Sequence, residues 1–169
     1  PTYSDGTKDF GRQMLAGYRF VDLDIPKGAV VTDARLKIKN KTAYKGDVDW
    51  LVTVDKDPQS KPFISGVNDG ITKYTDLGGT NVARDDSYDD PYGVEWGQGK
   101  AKAGTVYTSP NLKDLLNVVV ENPAWDQANN AVSLFMWPWT YGNRVRRRNI
   151  YSGDDGSVKN RPELMVTYQ

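Results

Sequence analysis

Val30-Val-Thr-Asp-Ala-Arg-Leu-Lys-Ile-Lys-Asn40 is the stretch that decides the fold class. Ala34, Leu36 and Ile38 fall on one side of it, and Arg35, Lys37 and Lys39 on the other. Strict alternation of this kind occurs in extended chain, where successive side chains leave opposite faces. The stretch therefore reads as a strand with one face in a core and one in water. Just before it, Ile25-Pro-Lys-Gly-Ala29 is a turn, with Pro26 setting its backbone angle and Gly28 permitting the reversal. Just after it, Val48, Trp50, Val52 and Val54 repeat the pattern, with Asp49, Leu51 and Thr53 opposite.

Working outward, Leu15–Leu23 reads as an earlier strand, and further strands are expected at Ala131–Trp137, Arg144–Tyr151 and Leu164–Tyr168. In the last of these, Leu164, Val166 and Tyr168 are expected to face the core. From Asp55 to Gly104 the chain is rich in Gly, Asp and Tyr with little periodicity. It reads as long loops with short strands near Ile71–Tyr74, Asn81–Arg84 and Tyr92–Trp96. One helix is signalled over about residues 109–121, with Ser109 as N-cap and Pro110 at the first helical position. Leu112, Leu115, Leu116, Val119 and Val120 form its apolar face, and Asn122-Pro123 stops it. The expected architecture is all-β: a jelly-roll-like antiparallel β-sandwich with one short peripheral helix. No repeat, low-complexity tract or linker divides residues 1–169, so a single domain is expected.

Composition narrows the chemistry. The chain has 169 residues, no Cys and no His, which removes disulfides, thiolate or imidazole metal sites, and Ser-His-Asp or Cys-His catalysis. Basic and acidic residues balance at 22 each, so no overall field draws the chain to nucleic acid or an anionic membrane. Apolar runs such as Val118-Val119-Val120 are far too short to span a bilayer. The opening residues Pro1-Thr-Tyr-Ser-Asp5 do not form a signal peptide, so an exported form is expected to have lost its signal or to belong to a longer parent chain.

Three blocks then resemble a known family. They are Tyr18-Arg-Phe-Val-Asp-Leu-Asp-Ile-Pro-Lys-Gly-Ala-Val-Val-Thr-Asp-Ala-Arg-Leu36; Tyr107-Thr-Ser-Pro-Asn-Leu112 with the helix, Asn122-Pro-Ala-Trp125 and Asn129-Asn-Ala131; and Gly142, Arg146 and Tyr151-Ser-Gly-Asp154 through Pro162-Glu-Leu-Met-Val-Thr-Tyr168. In order and spacing they are similar to the DNRLRE-type jelly-roll domains of large secreted bacterial proteins, which are grouped with carbohydrate-binding modules. The resemblance implies a jelly-roll sandwich and, as in some members, binding of polysaccharide such as alginate. Similar modules occur in virion and cell-surface structural proteins.

The first candidate site is Trp137-Pro-Trp-Thr-Tyr-Gly-Asn-Arg-Val-Arg-Arg-Arg148. Aromatic faces stack on the apolar faces of sugar rings, and Arg offers forked donors to hydroxyls or carboxylates. Trp137, Trp139, Tyr141, Arg144, Arg146 and Arg148 are therefore candidate ligand contacts, against a plainer reading in which Trp137 is core and the arginines line a solvated strand. The second is Asp85-Asp-Ser-Tyr-Asp-Asp90, whose Asp85, Asp86, Asp89 and Asp90 could supply oxygens to a structural Ca²⁺, with Asp55-Lys56-Asp57 contributing. The plainer reading is a hydrated turn, since no EF-hand spacing is present. Trp50 and Trp125 are expected to be core.

These features point to a non-catalytic binding module of a secreted or surface-displayed protein that recognises polysaccharide. The alternative is a structural module of a virion or surface filament, making contacts with other protein subunits. A third reading, a polysaccharide lyase, would use Tyr141 with Arg144 or Arg146. The expected location is extracellular, on a cell surface or on a virion, with neither nucleic acid nor membrane as partner.

Overall fold

The computed structural model describes residues 16–62, 93–138 and 148–169. Among these residues the strands are β1 (Ala16–Val21), β2 (Val31–Lys39), β3 (Val48–Val54), β4 (Val94–Gln98), β5 (Val106–Thr108), β6 (Ala131–Pro138) and β7 (Glu163–Tyr168), with one α-helix, α1 (Lys113–Val120), between β5 and β6. They form two antiparallel sheets, ordered β1-β6-β3-β4 and β5-β2-β7. Among the described strands, each step from one to the next changes sheet except that from β3 to β4. The architecture is an all-β sandwich, as the alternation around Leu36 requires.

Ala34, Leu36 and Ile38 of β2 face inward and are fully buried, together with Val52 and Val54 of β3 and Val132, Leu134 and Met136 of β6. Apolar rows from both sheets thus share one layer, the main source of stabilisation in a fold without disulfides. The central strands of the four-stranded sheet, β3 and β6, are buried on their other face too. Leu51 and Thr53, read from sequence as the water-facing row of β3, are enclosed, and so are Phe135, opposite Thr53, and Ser133 two residues before it on β6. Gly93 lies so close to Leu51 that a Cβ there would sit 2.4 Å from its side chain, so this approach requires glycine.

The helix begins at Lys113, four residues after the expected N-cap. Ser109 does not cap it. Its backbone N–H donates to Leu36 O (2.9 Å), and its Oγ accepts from Leu36 N (2.9 Å). Asn111 Oδ1 accepts from Ala34 N (3.0 Å), and Leu112 N donates to Ala34 O (2.7 Å). One helical turn further, Asn117 accepts from Val31 N (2.8 Å) and donates to Val31 O (3.0 Å). The segment leaving β5 thus runs on along the same edge of β2, with side chains standing in for a strand's backbone groups. The helix then packs Leu115, Leu116, Val119 and Val120 into the core.

Trp125 is 1% exposed, and its indole N–H donates to Ile25 O (2.9 Å), anchoring the helix exit as expected. Trp50 and Trp96 are buried and face each other across β3 and β4. Gly28 has φ +83°, as the expected reversal after Pro26 needs, and Ala29 N–H donates to Pro26 O (3.1 Å). The strand expected at Tyr92–Trp96 is found at Val94–Gln98, while Ile71–Tyr74 and Asn81–Arg84 lie outside the described residues. Of the strand expected at Arg144–Tyr151, the described part pairs only through a bridge between Ile150 and Asn40. Tyr168, expected inside, is 38% exposed because it ends an edge strand.

Replacing Asn117 by Leu should destabilise the protein by about 2 kcal/mol, since the buried Val31 amide and carbonyl lose their partner. Urea denaturation would measure this against Lys113→Ala on the exposed face of the same helix, which should change little. Equal effects of the two substitutions would contradict the edge-covering role of Asn117.

Candidate functional site

The segment singled out for its rings and arginines starts on β6 and ends beside β3 and β4. In the β3–β6 ladder, Trp137 pairs with Leu51 and Pro138 with Trp50. Trp139, Tyr141, Arg144 and Arg146 lie outside the described residues. Arg148 is described, and it points inward. It is 8% exposed, and its Nη2 donates to the carbonyls of Gly46 (2.8 Å), Gln98 (3.1 Å) and Gly99 (2.5 Å). The guanidinium lies over the Tyr44 ring, 5.1 Å from its centre. Burial lowers the proton affinity of the group, while Tyr107, Tyr44 and Asp47 oppose that effect, and a guanidinium stays cationic in either case. Arg148 is thus placed as a tie between strand ends, not presented at the surface as the sequence reading expected.

Around that tie the end of the sandwich is polar. Asn40 extends the inward row of β2, and Gln98 extends that of β4 opposite Val48. Both amides, and the Trp50 indole N–H, are buried without a protein hydrogen-bond partner among the described residues. Three residues beyond Arg148 the chain reaches Tyr151, whose N–H donates to Lys39 O (3.1 Å). The predicted segment therefore leads directly onto the outward face of the β5-β2-β7 sheet.

That face carries a shallow depression of about 200 Å³. Lys37 and Lys39 from β2, and Lys159 and Arg161 from the 3₁₀ turn Val158–Asn160 and its exit, surround it with one carboxylate, Glu163. Val106 supplies an apolar wall and is 54% exposed; Val158, next to Lys159, is 72% exposed. The Lys39 and Lys41 ammonium groups lie 5.9 and 5.8 Å from the centre of the Tyr151 ring. Lys37 pairs loosely with Glu163 (3.7 Å), and Lys39 donates to Asn160 Oδ1 (2.8 Å).

Asp155 organises this turn. Its Oδ1 accepts from the Ser157 N–H (3.0 Å) and the Asn160 side-chain amide (3.0 Å). These bonds, first the Ser157 N–H and then Asn160, with Lys41 and Arg161 adding to them, hold its carboxyl below the ordinary carboxylate value. Sequence reading placed Lys37 and Lys39 on a wet face but did not see the depression. Lys159 and Arg161 reach it only through tertiary packing, and a composition with zero net charge conceals a local excess of cations.

The aspartates proposed for Ca²⁺, Asp85, Asp86, Asp89 and Asp90, lie outside the described residues. Asp55 and Asp57, offered as contributors, form turns within the chain: Asp55 accepts from Asp57 N (3.1 Å) and Ser60 Oγ (2.5 Å), and Asp57 from Gln59 N (2.9 Å). Among the described residues no group of three or more acidic, His or Cys side chains could hold a metal ion, and no helix is long and apolar enough to cross a membrane. No family model and no curated protein sequence matches this chain.

Two outcomes follow from these bonds. Arg148→Met, which keeps the apolar stem, should lower stability by roughly 3 kcal/mol in chemical denaturation, because three carbonyls lose a charged donor; a change under about 0.5 kcal/mol would show that the tie is dispensable. Asp155 has its folded-state pKa depressed, so it stabilises the fold above the ordinary carboxylate range and loses that effect as pH falls through its own lower value. The melting-temperature gap between the protein and Asp155→Asn should therefore be widest near neutrality and should shrink below pH 3.8, the ordinary Asp value. A gap independent of pH would contradict the assignment.

Proposed function

We propose that this chain is a non-catalytic binding module of a secreted or surface-displayed assembly, and that it recognises polysaccharide by aromatic stacking with Arg and polar contacts. The observation that carries this reading is the bracketing of the aromatic and arginine-rich segment. Pro138 is held opposite Trp50 at one end, and Arg148 is tied to the ends of β3 and β4 at the other. Between these anchors the sequence supplies Trp139, Tyr141, Arg144 and Arg146. Fixing both ends of a contact segment on rigid strands reduces the ordering cost when a ligand is engaged. Trp139 and Tyr141 are the stacking residues in this reading, Arg144 and Arg146 the polar contacts, and Arg148 the anchor. The likeness of the sequence blocks to carbohydrate-binding jelly rolls supports it, as does the two-sheet fold, on which loop-borne sites are common.

Affinity electrophoresis through gels containing neutral and acidic polysaccharides tests the proposal. At least one polymer should retard the protein, and Trp139→Ala or Tyr141→Ala should each weaken that binding by about tenfold. Their melting temperatures should stay close to that of the parent. Free migration through every polymer would overturn the reading.

A further inference from the structure

We infer that the outward face of the β5-β2-β7 sheet is itself a ligand surface, and that its ligand is a polysaccharide carrying sulfate esters, held by the lysines around Tyr151. The inference rests on the polysaccharide reading above and adds to it a second place on the molecule and a chemical selection.

The depression has four cationic side chains and one carboxylate on its walls. The carboxylate is only weakly engaged: Glu163 and Lys37 are 3.7 Å apart, with side chains 61% and 37% exposed, a kind of pair that exchanges readily for another anion. The exposed side chain of Lys159 has no hydrogen bond or ion pair among the described residues; that of Lys41, also exposed, has none either and lies 5.8 Å from the Tyr151 ring centre, with Asp155 as a longer-range partner. The Asp155 carboxylate bonds the neutral Ser157 and Asn160 donors, keeps its charge and acts on Lys41 and Arg161; with Glu163 it offsets two of the five cations Lys37, Lys39, Lys41, Lys159 and Arg161. A surplus of positive charge therefore remains for a ligand.

Apolar surface is interleaved with that charge. Tyr151 presents a ring already flanked by two ammonium groups, and Val106 and Val158 stand exposed nearby. A sugar ring offers an apolar face for such a surface and can carry an anionic substituent at its edge, so both features are used together. Duplex nucleic acid would present a continuous row of phosphates and would call for a longer cationic track than four side chains beside a carboxylate.

The choice of sulfate follows from the kind of cation present. A guanidinium fork grips carboxylates and tetrahedral oxyanions alike, whereas a planar carboxylate facing only ammonium groups loses that two-point fit, and the several oxygens of a tetrahedral oxyanion still meet these point charges from any direction. Three of the four cations lining the depression are lysines, and the single guanidinium, Arg161, has its Nε donating to Asp155 O (2.8 Å). The site is poor in free forks and rich in point charges.

Dextran sulfate, dextran, polygalacturonate and a short DNA duplex, compared by isothermal titration with the full chain near physiological salt, provide the test. Dextran sulfate should bind at least about tenfold more tightly than each of the other three. The double variant Lys41→Gln/Lys159→Gln should lose about tenfold of that affinity and show a shallower dependence on salt, with its melting temperature retained. Tyr151→Ala should weaken binding without changing the salt dependence. Polygalacturonate or DNA binding as tightly as dextran sulfate overturns the inference, and so does a double variant with parental affinity. In that last case, a loss of binding in Trp139→Ala would leave the proposed function standing and place the ligand on the other segment alone. Failure of every polysaccharide removes both.

Discussion

The two sheets hold together because apolar rows from β2 on one side and from β3 and β6 on the other enter the same layer, and every other feature of the molecule accommodates that contact. With no cysteine to cross-link the sheets, the closure depends on excluding water from this layer. A chain that crosses repeatedly between sheets must still give partners to its backbone at each crossing. The solution on one edge of β2 is to let side chains imitate a strand. Ser109, Asn111 and Asn117 meet the amides of Leu36, Ala34 and Val31 in turn. The same device recurs at the end of β1, where the buried Asn130 accepts from Leu23 N and donates to Leu23 O.

These replacements explain why the helix is short. Ser109 followed by Pro110 has the form of a helix start, and local preference alone would begin the helix there. Hydrogen bonds to β2 are available to the same groups, and they satisfy backbone of a core strand that would otherwise be buried without partners. Tertiary demand outweighs local preference, and the first helical turn gives way to an edge contact.

The end of the sandwich near Arg148 shows how one residue type can take opposite roles. A run of arginines in sequence suggests solvent or ligand, yet Arg148 gathers three carbonyls and covers the Tyr44 ring. Its stem and charge are used to close the polar ends of β3 and β4, which include the buried Gln98. Beyond it, Tyr151 and the lysines of β2 share the outward face with the 3₁₀ turn organised by Asp155. Placing charge on that face adds little to stability, because exposed pairs such as Lys37 with Glu163 are screened by water. The excess of cations there is consequently a property of the surface, not a requirement of the fold.

From sequence alone, the period of two around Leu36 and Val52 determined the strands and the inward rows, because alternation has only one structural meaning in a chain that must bury one face. The reversal at Pro26-Gly28, the anchoring of Trp125 and the absence of imidazole or thiol chemistry were equally legible, since each rests on a local preference or on composition. Tertiary structure alone decided that Leu51 and Thr53 are enclosed, that Ser109 serves β2 instead of the helix, and that Arg148 turns inward. It alone brought Lys159 and Arg161 beside Lys37 and Lys39. The physical reason is common to all four. Which face of an element is covered, and which distant charges meet, depends on how separate segments pack, and the spacing of residues along one segment holds no record of it.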